Sequence, residues 1–224
     1  MTRIPVDYDS GLKINSTPPV YLFEDFLSSE EAAMIIEAAE SKMKRATVSS
    51  DKAGVESKGR TGRNCWLPHN HTPQLLKLAQ RISKLVGIDL IKAESFQVIH
   101  YGETQEYAAH FDGWDSSTDR GIRCMQKGGQ RLITCLIYLN DVEAGGGTGF
   151  PKLDVEVKAK QGRMVIFHNC HEGTNQRHPD SLHGGLPVEK GEKWAVNLWF
   201  REKPYQQQQL KPGVPIRQKF SKVF

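Results

Sequence analysis

The sequence predicts an α+β fold in which two helices near the N-terminus pack against an antiparallel sandwich or jelly roll. Helical spacing of apolar residues is confined to the first 90 residues, and short period-two runs dominate the rest. Turn-forming residues separate these runs, as in all-β layers with helices to one side. With 224 residues, the chain is long enough for one domain with a sizeable core.

The first part of the chain contains a polar lead-in and two predicted helices. Residues 1–19 are interpreted as the lead-in, and a short strand with the letters YLF follows it. Ser28 and Glu31 have the spacing of a capping box, which predicts that the first helix begins there. The second helix is predicted to begin after Thr72, where a proline takes the first helical position, and to end near Gly87.

Short predicted strands dominate the second part of the chain. The runs ESFQVIHY, QRLITCLIYL, DVEVKA, GRMVIFH and KWAVNLWF are β-rich, and Gly, Pro, Asn and Asp separate them. The main domain is therefore predicted to cover residues 20–203. Residues 204–224 contain a glutamine run and are interpreted as a polar tail. The Gly- and Lys-rich loop at residues 46–63 is long enough to predict a lid.

Composition and charge exclude several classes of protein. No apolar run of about 18 residues predicts a membrane span, and the N-terminus lacks an apolar signal segment, so we expect a cytoplasmic protein. The four cysteines are scattered, which favours reduced thiols over a disulfide scaffold. The basic cluster from Lys42 to Arg63 lacks interleaved stacking aromatics, so no nucleic-acid partner is predicted; a weak preference for acidic partners stays open.

The motif His110-x-Asp112 is the first candidate for chemistry. Residues two apart share a face of an extended backbone, so this histidine and this carboxylate could bind one metal ion. Two histidines and one carboxylate on one side of iron are typical of non-heme Fe(II) oxygenases, which would require a second histidine. The candidates for that ligand are His168, His171, His178 and His183, and a separate candidate pair is His69 with His71.

His183 is favoured because of the segment that follows it. The letters HGGLPVEKGEKWAVNLWF predict a strand, a tight turn and a final strand, and this hairpin would bring Lys193 close to His183. In the final strand, Lys193 shares one face with Asn197 and Trp199, whereas the other face is an apolar core stripe. A lysine inside the fold requires an anionic partner, which a dicarboxylate ligand would supply. Thr134 adds one hydroxyl group to an apolar wall.

Three blocks of this sequence resemble the catalytic domain of prolyl 4-hydroxylases. They are YGETQEYAAHFD, GGQRLITCLIYLNDVEAGGGTGFP and SLHGGLPVEKGEKWAVNLW, and the resemblance covers roughly residues 20–203 in order. This family consists of Fe(II)- and 2-oxoglutarate-dependent dioxygenases with a double-stranded β-helix core. The resemblance therefore implies a jelly-roll core with N-terminal helices packed against it. It also implies O2-dependent hydroxylation of peptidyl proline at C4, with 2-oxoglutarate converted to succinate and CO2 and with L-ascorbate as a further cofactor.

The resemblance also implies roles for residues of this sequence. Three residues are implied to bind Fe(II): His110, Asp112 and His183. Lys193 is implied to pair with the distal carboxylate of 2-oxoglutarate, with Thr134 and Tyr101 hydrogen-bonding to the same group. Three further positions match those of the peptide groove and the active-site wall: Glu94, Tyr107 and Trp199.

Two departures from the family pattern leave the peptide preference open. Gly113-Trp114 follows the metal motif where many relatives have aromatic residues, and EAGGGTGFP carries extra glycines. The nearest alternative is the same chemistry on a lysyl residue or a free amino acid. The alternative from another class is an inactive jelly-roll binding module, against which the intact triad and Lys193 argue. The missing secretory signal favours a microbial or viral relative.

Overall fold

The structure is a computed structural model that describes residues 4–5, 7–49, 54–55 and 59–205. Most of the predicted tail therefore lies outside the described residues, and so does part of the predicted lid. None of the helices within the described ranges has the length and apolarity that a membrane crossing requires.

The described fold consists of short strands with three α-helices between them. The helices are α1 (Ser29–Glu40), α2 (Pro73–Val86) and α3 (Asp119–Met125). The strands are β1 (Leu12–Ser16), β2 (Pro19–Phe23), β3 (Lys44–Arg45), β4 (Val48–Ser49), β5 (Gly54–Val55), β6 (Arg63–Leu67), β7 (Phe96–Tyr101), β8 (Tyr107–His110), β9 (Arg131–Tyr138), β10 (Ala144–Gly145), β11 (Thr148–Phe150), β12 (Val155–Val157), β13 (Met164–His168), β14 (His183–Gly185), β15 (Val188–Lys190) and β16 (Lys193–Arg201).

Two antiparallel sheets form the two layers of the domain. The major sheet has eight strands in the order β1-β2-β13-β9-β16-β7-β6-β3, and the minor sheet has four in the order β12-β11-β14-β8. Strands that follow one another along the chain often belong to different sheets, which is the winding of a jelly roll. The predicted α+β fold with a jelly-roll core is confirmed.

Both predicted helices are present with their predicted caps. The Ser28 hydroxyl accepts a hydrogen bond from the Glu31 backbone, and the Glu31 carboxylate accepts one from the Ser28 backbone, so the capping box is complete. The Thr72 hydroxyl accepts from the Leu75 backbone at the start of α2. Gly87 ends that helix with φ of 64°, a left-handed conformation that glycine adopts without a Cβ clash.

Helices α1 and α2 cover the outer face of the major sheet. α2 contributes a stripe of buried residues at helical spacing: Leu75, Leu78, Ala79, Ile82 and Val86. These residues belong to the same core cluster as Trp194, Val196, Leu198 and Phe200 of β16. Each large apolar side chain removed from water contributes about 1.5–3 kcal/mol. The helix layer therefore holds one face of β16, and the alternate residues of that strand face the minor sheet, as predicted.

The predicted lead-in contributes to the major sheet. Residues 12–16 form β1, an edge strand paired with β2. Leu12 and Ile14 alternate with polar residues, but the strand has only five residues and all of them are exposed or half-buried, so its periodic signal is short. Before it, the hydroxyl of the buried Tyr8 hydrogen-bonds to Nε2 of His168 at 2.8 Å. Part of the segment is thus tied to the core.

The hairpin predicted between His183 and Lys193 is not formed. β14 pairs with β8 and β11 in the minor sheet, whereas β16 pairs with β7 and β9 in the major sheet. The chain does turn at Gly191, but this turn connects β15, which pairs with β10, to β16 in the major sheet. The predicted pairing was wrong because turn signals do not reveal which sheet the next strand joins, although Lys193 and His183 do line the same cavity, as predicted. The short helix α3 was also not predicted, since seven residues carry little periodic signal.

Candidate active site

Two of the predicted metal ligands lie opposite each other on neighbouring strands. His110 is the last residue of β8, His183 is the first of β14, and the two residues are paired in register. Asp112 follows β8 after one residue. Ligand atoms of all three side chains lie within 4.8 Å of one another. Among the described residues, no other group of three His, Cys, Asp or Glu side chains converges in this way.

The backbone orients both imidazole rings. Nδ1 of His110 lies 2.9 Å from the carbonyl oxygen of Ala108, and Nδ1 of His183 lies 2.9 Å from that of Ser181. A carbonyl can only accept, so each Nδ1 carries a proton, and Nε2 is the nitrogen of each ring that is left to ligate a metal ion. The two Nε2 atoms lie 3.7 and 3.5 Å from oxygen atoms of Asp112.

Hydrogen bonds from the major sheet hold the Asp112 carboxylate. Its Oδ2 accepts from the Thr134 hydroxyl at 2.7 Å and from the Trp199 indole at 2.8 Å. Asn169 in turn donates to the Thr134 hydroxyl at 2.9 Å. The carboxylate is buried, with 6% of the residue exposed. Its position is therefore determined by groups on two further strands as well as by its own loop.

The protonation states of the cluster suit a cation. Burial raises the pKa of Asp112, but the neighbouring His183, His110 and Arg131 side chains outweigh burial and hold that pKa below its usual range. Burial, together with the nearby His183, lowers the pKa of His110 to about 3. An ionised carboxylate beside a neutral imidazole is the form in which these groups ligate metals. Two imidazole nitrogens and one carboxylate oxygen fit Fe(II) with open coordination positions.

Lys193 lies in the same cavity as the cluster. This cavity has a volume of about 370 Å³, and His110, Asp112, His183 and Lys193 are among its lining residues. Only 1% of Lys193 is exposed, and burial lowers its pKa to about 7. Its Nζ donates to the Gly147 carbonyl at 3.3 Å. No carboxylate in the described part of the chain forms an ion pair with it, so an anion in the cavity would supply the missing charge.

Two residues expected beside 2-oxoglutarate also line this cavity. Tyr101 is buried, its ring centroid lies 6.0 Å from Nζ of Lys193, and burial raises the pKa of its hydroxyl. Thr134 lines the wall, but its single hydroxyl proton is donated to Asp112. A direct hydrogen bond from Thr134 to 2-oxoglutarate stays a prediction that would require this proton to turn away. In the structure, Thr134 holds the carboxylate of Asp112, a predicted metal ligand.

The three residues expected at the peptide groove lie in different places. Tyr107 stacks on His110 with ring centroids 3.6 Å apart, and it lines the cavity. Trp199 lines the cavity and donates to Asp112. Glu94 is buried behind the wall, where both of its oxygens accept from Arg131 at 2.6 and 2.9 Å. Glu94 therefore reaches the cavity only through Arg131.

Arg131 and Arg60 were not singled out from the sequence. The guanidinium of Arg131 lies 3.8 Å from the Trp199 ring, and one of its nitrogens lies 3.8 Å from Oδ1 of Asp112. The guanidinium of Arg60 lies 4.5 Å from the centroid of the Tyr107 ring. Arginine at a strand start or in a Gly- and Lys-rich loop has no pattern that distinguishes it from a surface residue. Only the three-dimensional position identifies these two.

The other candidate histidines lie outside the cluster. His168 bonds to Tyr8, and burial lowers its pKa to about 4. His171 and His178 stack on each other with centroids 4.3 Å apart. His69 bonds to the backbone carbonyl of Glu94 at 2.6 Å. Each of these four has a structural partner, whereas His71 is exposed, and none of the five belongs to the group of converging ligand atoms.

Sequence similarity identifies the family to which this site belongs. Residues 96–201 match the model of the 2OG-Fe(II) oxygenase superfamily. A prolyl 4-hydroxylase homologue from Acanthamoeba polyphaga mimivirus is 32% identical over 185 residues, which cover 83% of this chain and 75% of that protein. The chain belongs to the prolyl 4-hydroxylase family. It is therefore a 2-oxoglutarate- and Fe(II)-dependent dioxygenase, as the sequence blocks predict.

Other members of the family extend the comparison. The prolyl 4-hydroxylase subunit alpha-3 of Homo sapiens is 35% identical over 191 residues, which cover 84% of this chain but 35% of that subunit. The chain thus spans about a third of the length of that relative. The crystal structure of a viral collagen prolyl hydroxylase from Paramecium bursaria Chlorella virus-1, in complex with 2OG, superposes with a TM-score of 0.61 at 27% identity. That superposition covers 81% of this chain and 94% of the viral chain.

Proposed function

We propose that this protein hydroxylates peptidyl proline at C4, with Fe(II) held by His110, Asp112 and His183. The observation that carries the proposal is one cavity in which a buried His-Asp-His cluster lies with a buried lysine that lacks a carboxylate partner in the described chain. Prolyl 4-hydroxylases among the relatives supply the substrate class. Proline C4, 2-oxoglutarate and O2 would give 4-hydroxyproline, succinate and CO2.

The bound iron would supply activation of O2 and the oxidation of the proline C–H bond. The chain's own contribution is to present two imidazole nitrogens and one ionised carboxylate in a fixed arrangement. The carbonyls of Ala108 and Ser181 hold the ring orientation, and Thr134 and Trp199 hold the carboxylate. Such supporting contacts commonly change metal affinity or activity 10- to 100-fold when they are removed.

Lys193 would bind the distal carboxylate of 2-oxoglutarate. Its ammonium group is surrounded by the rings of Tyr138, at 5.2 Å, and Tyr101, at 6.0 Å. In this apolar surrounding a charge pair is stronger than in water, and it offsets the cost of burying the ammonium. The Tyr101 hydroxyl is a further donor for the same carboxylate. Thr134 would donate a further hydrogen bond only if its hydroxyl group rotated away from Asp112.

The remaining wall would orient the peptide. Trp199 and Tyr107 offer aromatic surfaces beside the ligand cluster, and Arg131, which also lines the cavity, packs against the Trp199 ring. The Glu94–Arg131 pair holds this arginine in place, so Glu94 acts on the wall indirectly. Exclusion of water by this wall keeps oxidation directed at the bound proline. L-Ascorbate would restore Fe(II) after turnover without peptide.

The test is oxygen transfer to a proline peptide. Purified protein with Fe(II), 2-oxoglutarate and ascorbate should add one oxygen atom to proline and release succinate in equal amount. Amino-acid analysis should identify 4-hydroxyproline. Addition to lysine instead, or succinate release that no proline peptide stimulates, would contradict the substrate assignment.

The ligand assignment has a matched control. His183→Ala should abolish turnover, whereas His171→Ala, which alters an exposed histidine outside the cluster, should retain it. Mn(II) binding followed by electron paramagnetic resonance gives a readout that does not depend on catalysis. Loss of Mn(II) binding in His171→Ala but not in His183→Ala would refute the assignment.

A further inference from the structure

The charges that line the cavity are unequal. Among the described residues that line it, the cations are Arg60, Arg120, Arg131 and Lys193, and the only carboxylate is that of Asp112. The proposed function assigns Asp112 to iron and Lys193 to 2-oxoglutarate. Glu94 compensates Arg131 from behind the wall. The side of the cavity around Arg60 is left with positive charge that this reaction scheme does not use.

Arg60 is the most unusual of these cations. It is 7% exposed, and its guanidinium donates to the Thr47 carbonyl at 3.0 Å and to the Gln97 side chain at 3.2 Å. Both acceptors are neutral, and no described carboxylate forms an ion pair with it. Its buried Nε has no hydrogen-bond partner among the residues that the structure describes. A buried guanidinium without a counter-charge is costly, and an anionic ligand in the cavity would relieve that cost.

A second cation lies on the same side of the major sheet, at its edge. Lys44 of β3 is paired in register with Asn64 of β6, so the two side chains share a face. Asn64 and Trp66 of β6 line the cavity, so this is the cavity face. Lys44 is exposed and forms no ion pair with a described carboxylate. Its neighbour Arg45 is paired with Arg63 and therefore faces the opposite side.

Trp66 indicates what occupies this part of the cavity. It is 47% exposed, an unusual exposure for tryptophan, and its ring lies 5.8 Å from that of Trp199. Exposed aromatic rings beside a groove are typical of surfaces that bind extended, proline-containing peptides. The aromatic surface thus continues from Trp199 beside the ligand cluster out to Trp66, in the cavity that Arg60 lines and on the sheet face that Lys44 shares.

We infer that the preferred substrate is an acidic proline-containing segment, with a carboxylate side chain near the target proline that pairs with Arg60 and Lys44. This inference rests on the proposed function and adds the charge of the substrate to it. Lys44 alone could be explained as a charge that protects a sheet edge from pairing. That explanation does not apply to Arg60, which is buried inside the cavity.

The inference is tested with three peptides that share the same central proline and differ only in their flanks of glutamate, alanine or lysine. At low salt, the glutamate peptide should have a KM about fivefold below that of the alanine peptide, and the lysine peptide a higher KM than either. The advantage of the glutamate peptide should shrink in about 0.5 M salt, because exposed charges are screened. Equal KM values for the glutamate and alanine peptides at low salt would overturn the inference.

Charge reversal supplies the matched comparison. Lys44→Glu should remove the advantage of the glutamate peptide, whereas Arg63→Glu, a reversal at the same edge but on the opposite face, should retain it. Arg60→Gln should also remove it. Because each variant is compared with itself on two peptides, a partly destabilised protein lowers both rates and leaves their ratio unchanged. A glutamate advantage that persists in both Lys44→Glu and Arg60→Gln would overturn the inference.

Peptide binding separates this inference from the proposed reaction. Fluorescence anisotropy of the labelled peptides with the Mn(II)- and 2-oxoglutarate-loaded protein measures affinity without turnover. Salt-sensitive preference for the glutamate peptide, without hydroxylation of any peptide, would support the acidic-ligand site and contradict the proposed reaction. Hydroxylation of all three peptides, with equal binding affinity for each, would support the proposed reaction and contradict the acidic-ligand site.

Discussion

Replacement of Lys193 by methionine should make the protein more stable and at the same time unable to bind 2-oxoglutarate well. The two side chains have similar length and volume, so the change removes the charge without opening a cavity. Lys193 is 1% exposed and has a pKa of about 7 in the folded protein, against an ordinary value of 10.5. That difference corresponds to about 5 kcal/mol of penalty on the folded state.

The sign of the pH dependence follows from this depressed pKa. An unfolded lysine is protonated up to about pH 10.5, whereas the folded one loses its proton above about pH 7. The penalty is therefore complete below pH 7 and disappears as the pH rises toward 10.5. Loss of the hydrogen bond to Gly147 costs about 1 kcal/mol, so Lys193→Met should gain about 3 kcal/mol at pH 7.

Urea unfolding without 2-oxoglutarate measures this gain, and a rise in Tm of about 6–12 °C should accompany it. The gain should shrink between pH 7 and pH 9.5. Lys190→Met is the control, because that side chain is 68% exposed and its replacement should change stability by less than about 0.5 kcal/mol. A Lys193→Met protein that is less stable than the parent at pH 6, or a gain that is independent of pH, would refute the reasoning.

Four further predictions follow from the same contacts. The affinity of the parent protein for 2-oxoglutarate should fall about tenfold per pH unit just above pH 7, because the ligand requires protonated Lys193. Isothermal titration calorimetry measures this affinity and should also detect proton uptake on binding. An affinity that is independent of pH would contradict the role of Lys193. Glu94→Gln should destabilise by about 3 kcal/mol in urea unfolding because it removes the buried carboxylate that faces both Arg131 and Arg201, and an unchanged midpoint would show that this carboxylate is dispensable. Ser28→Ala should cost about 1 kcal/mol through loss of the α1 cap while KM for 2-oxoglutarate stays constant. Tyr8→Phe should cost about 1 kcal/mol through loss of the bond to His168, measured by thermal unfolding, and no loss would mean that water replaces that bond.

The predictable part of the site depends on local periodicity. His110 and Asp112 are two residues apart, and the alternation of β16 separates Lys193 and Trp199 from the apolar stripe, so both features can be read from neighbouring letters. The same periodicity predicts the second helix, since its apolar positions repeat with helical spacing and its caps have clear residue preferences.

The remaining features depend on contacts between segments far apart in sequence. The pairing of β14 with β8 rather than with β16 is set by the packing of two sheets, which turn residues do not encode. The Thr134 hydroxyl donates its hydrogen bond to Asp112, 22 residues away in sequence. Only the folded structure reveals that Asp112 and 2-oxoglutarate would compete for this proton. Glu94 likewise reads as an exposed carboxylate in a short strand segment, whereas its partner Arg131 buries it.

The split of the ligand cluster between the two layers affects how the protein responds to metal. The imidazoles of His110 and His183 belong to the minor sheet, but Oδ2 of Asp112 is held by hydrogen bonds from β9 and β16 of the major sheet. Sliding or opening of the sandwich would therefore break the ligand set before either sheet unravels. A chelator should consequently lower the denaturant concentration at which the protein unfolds, and a mild denaturant should weaken metal binding. Metal retained through purification would therefore indicate that the two sheets are packed correctly.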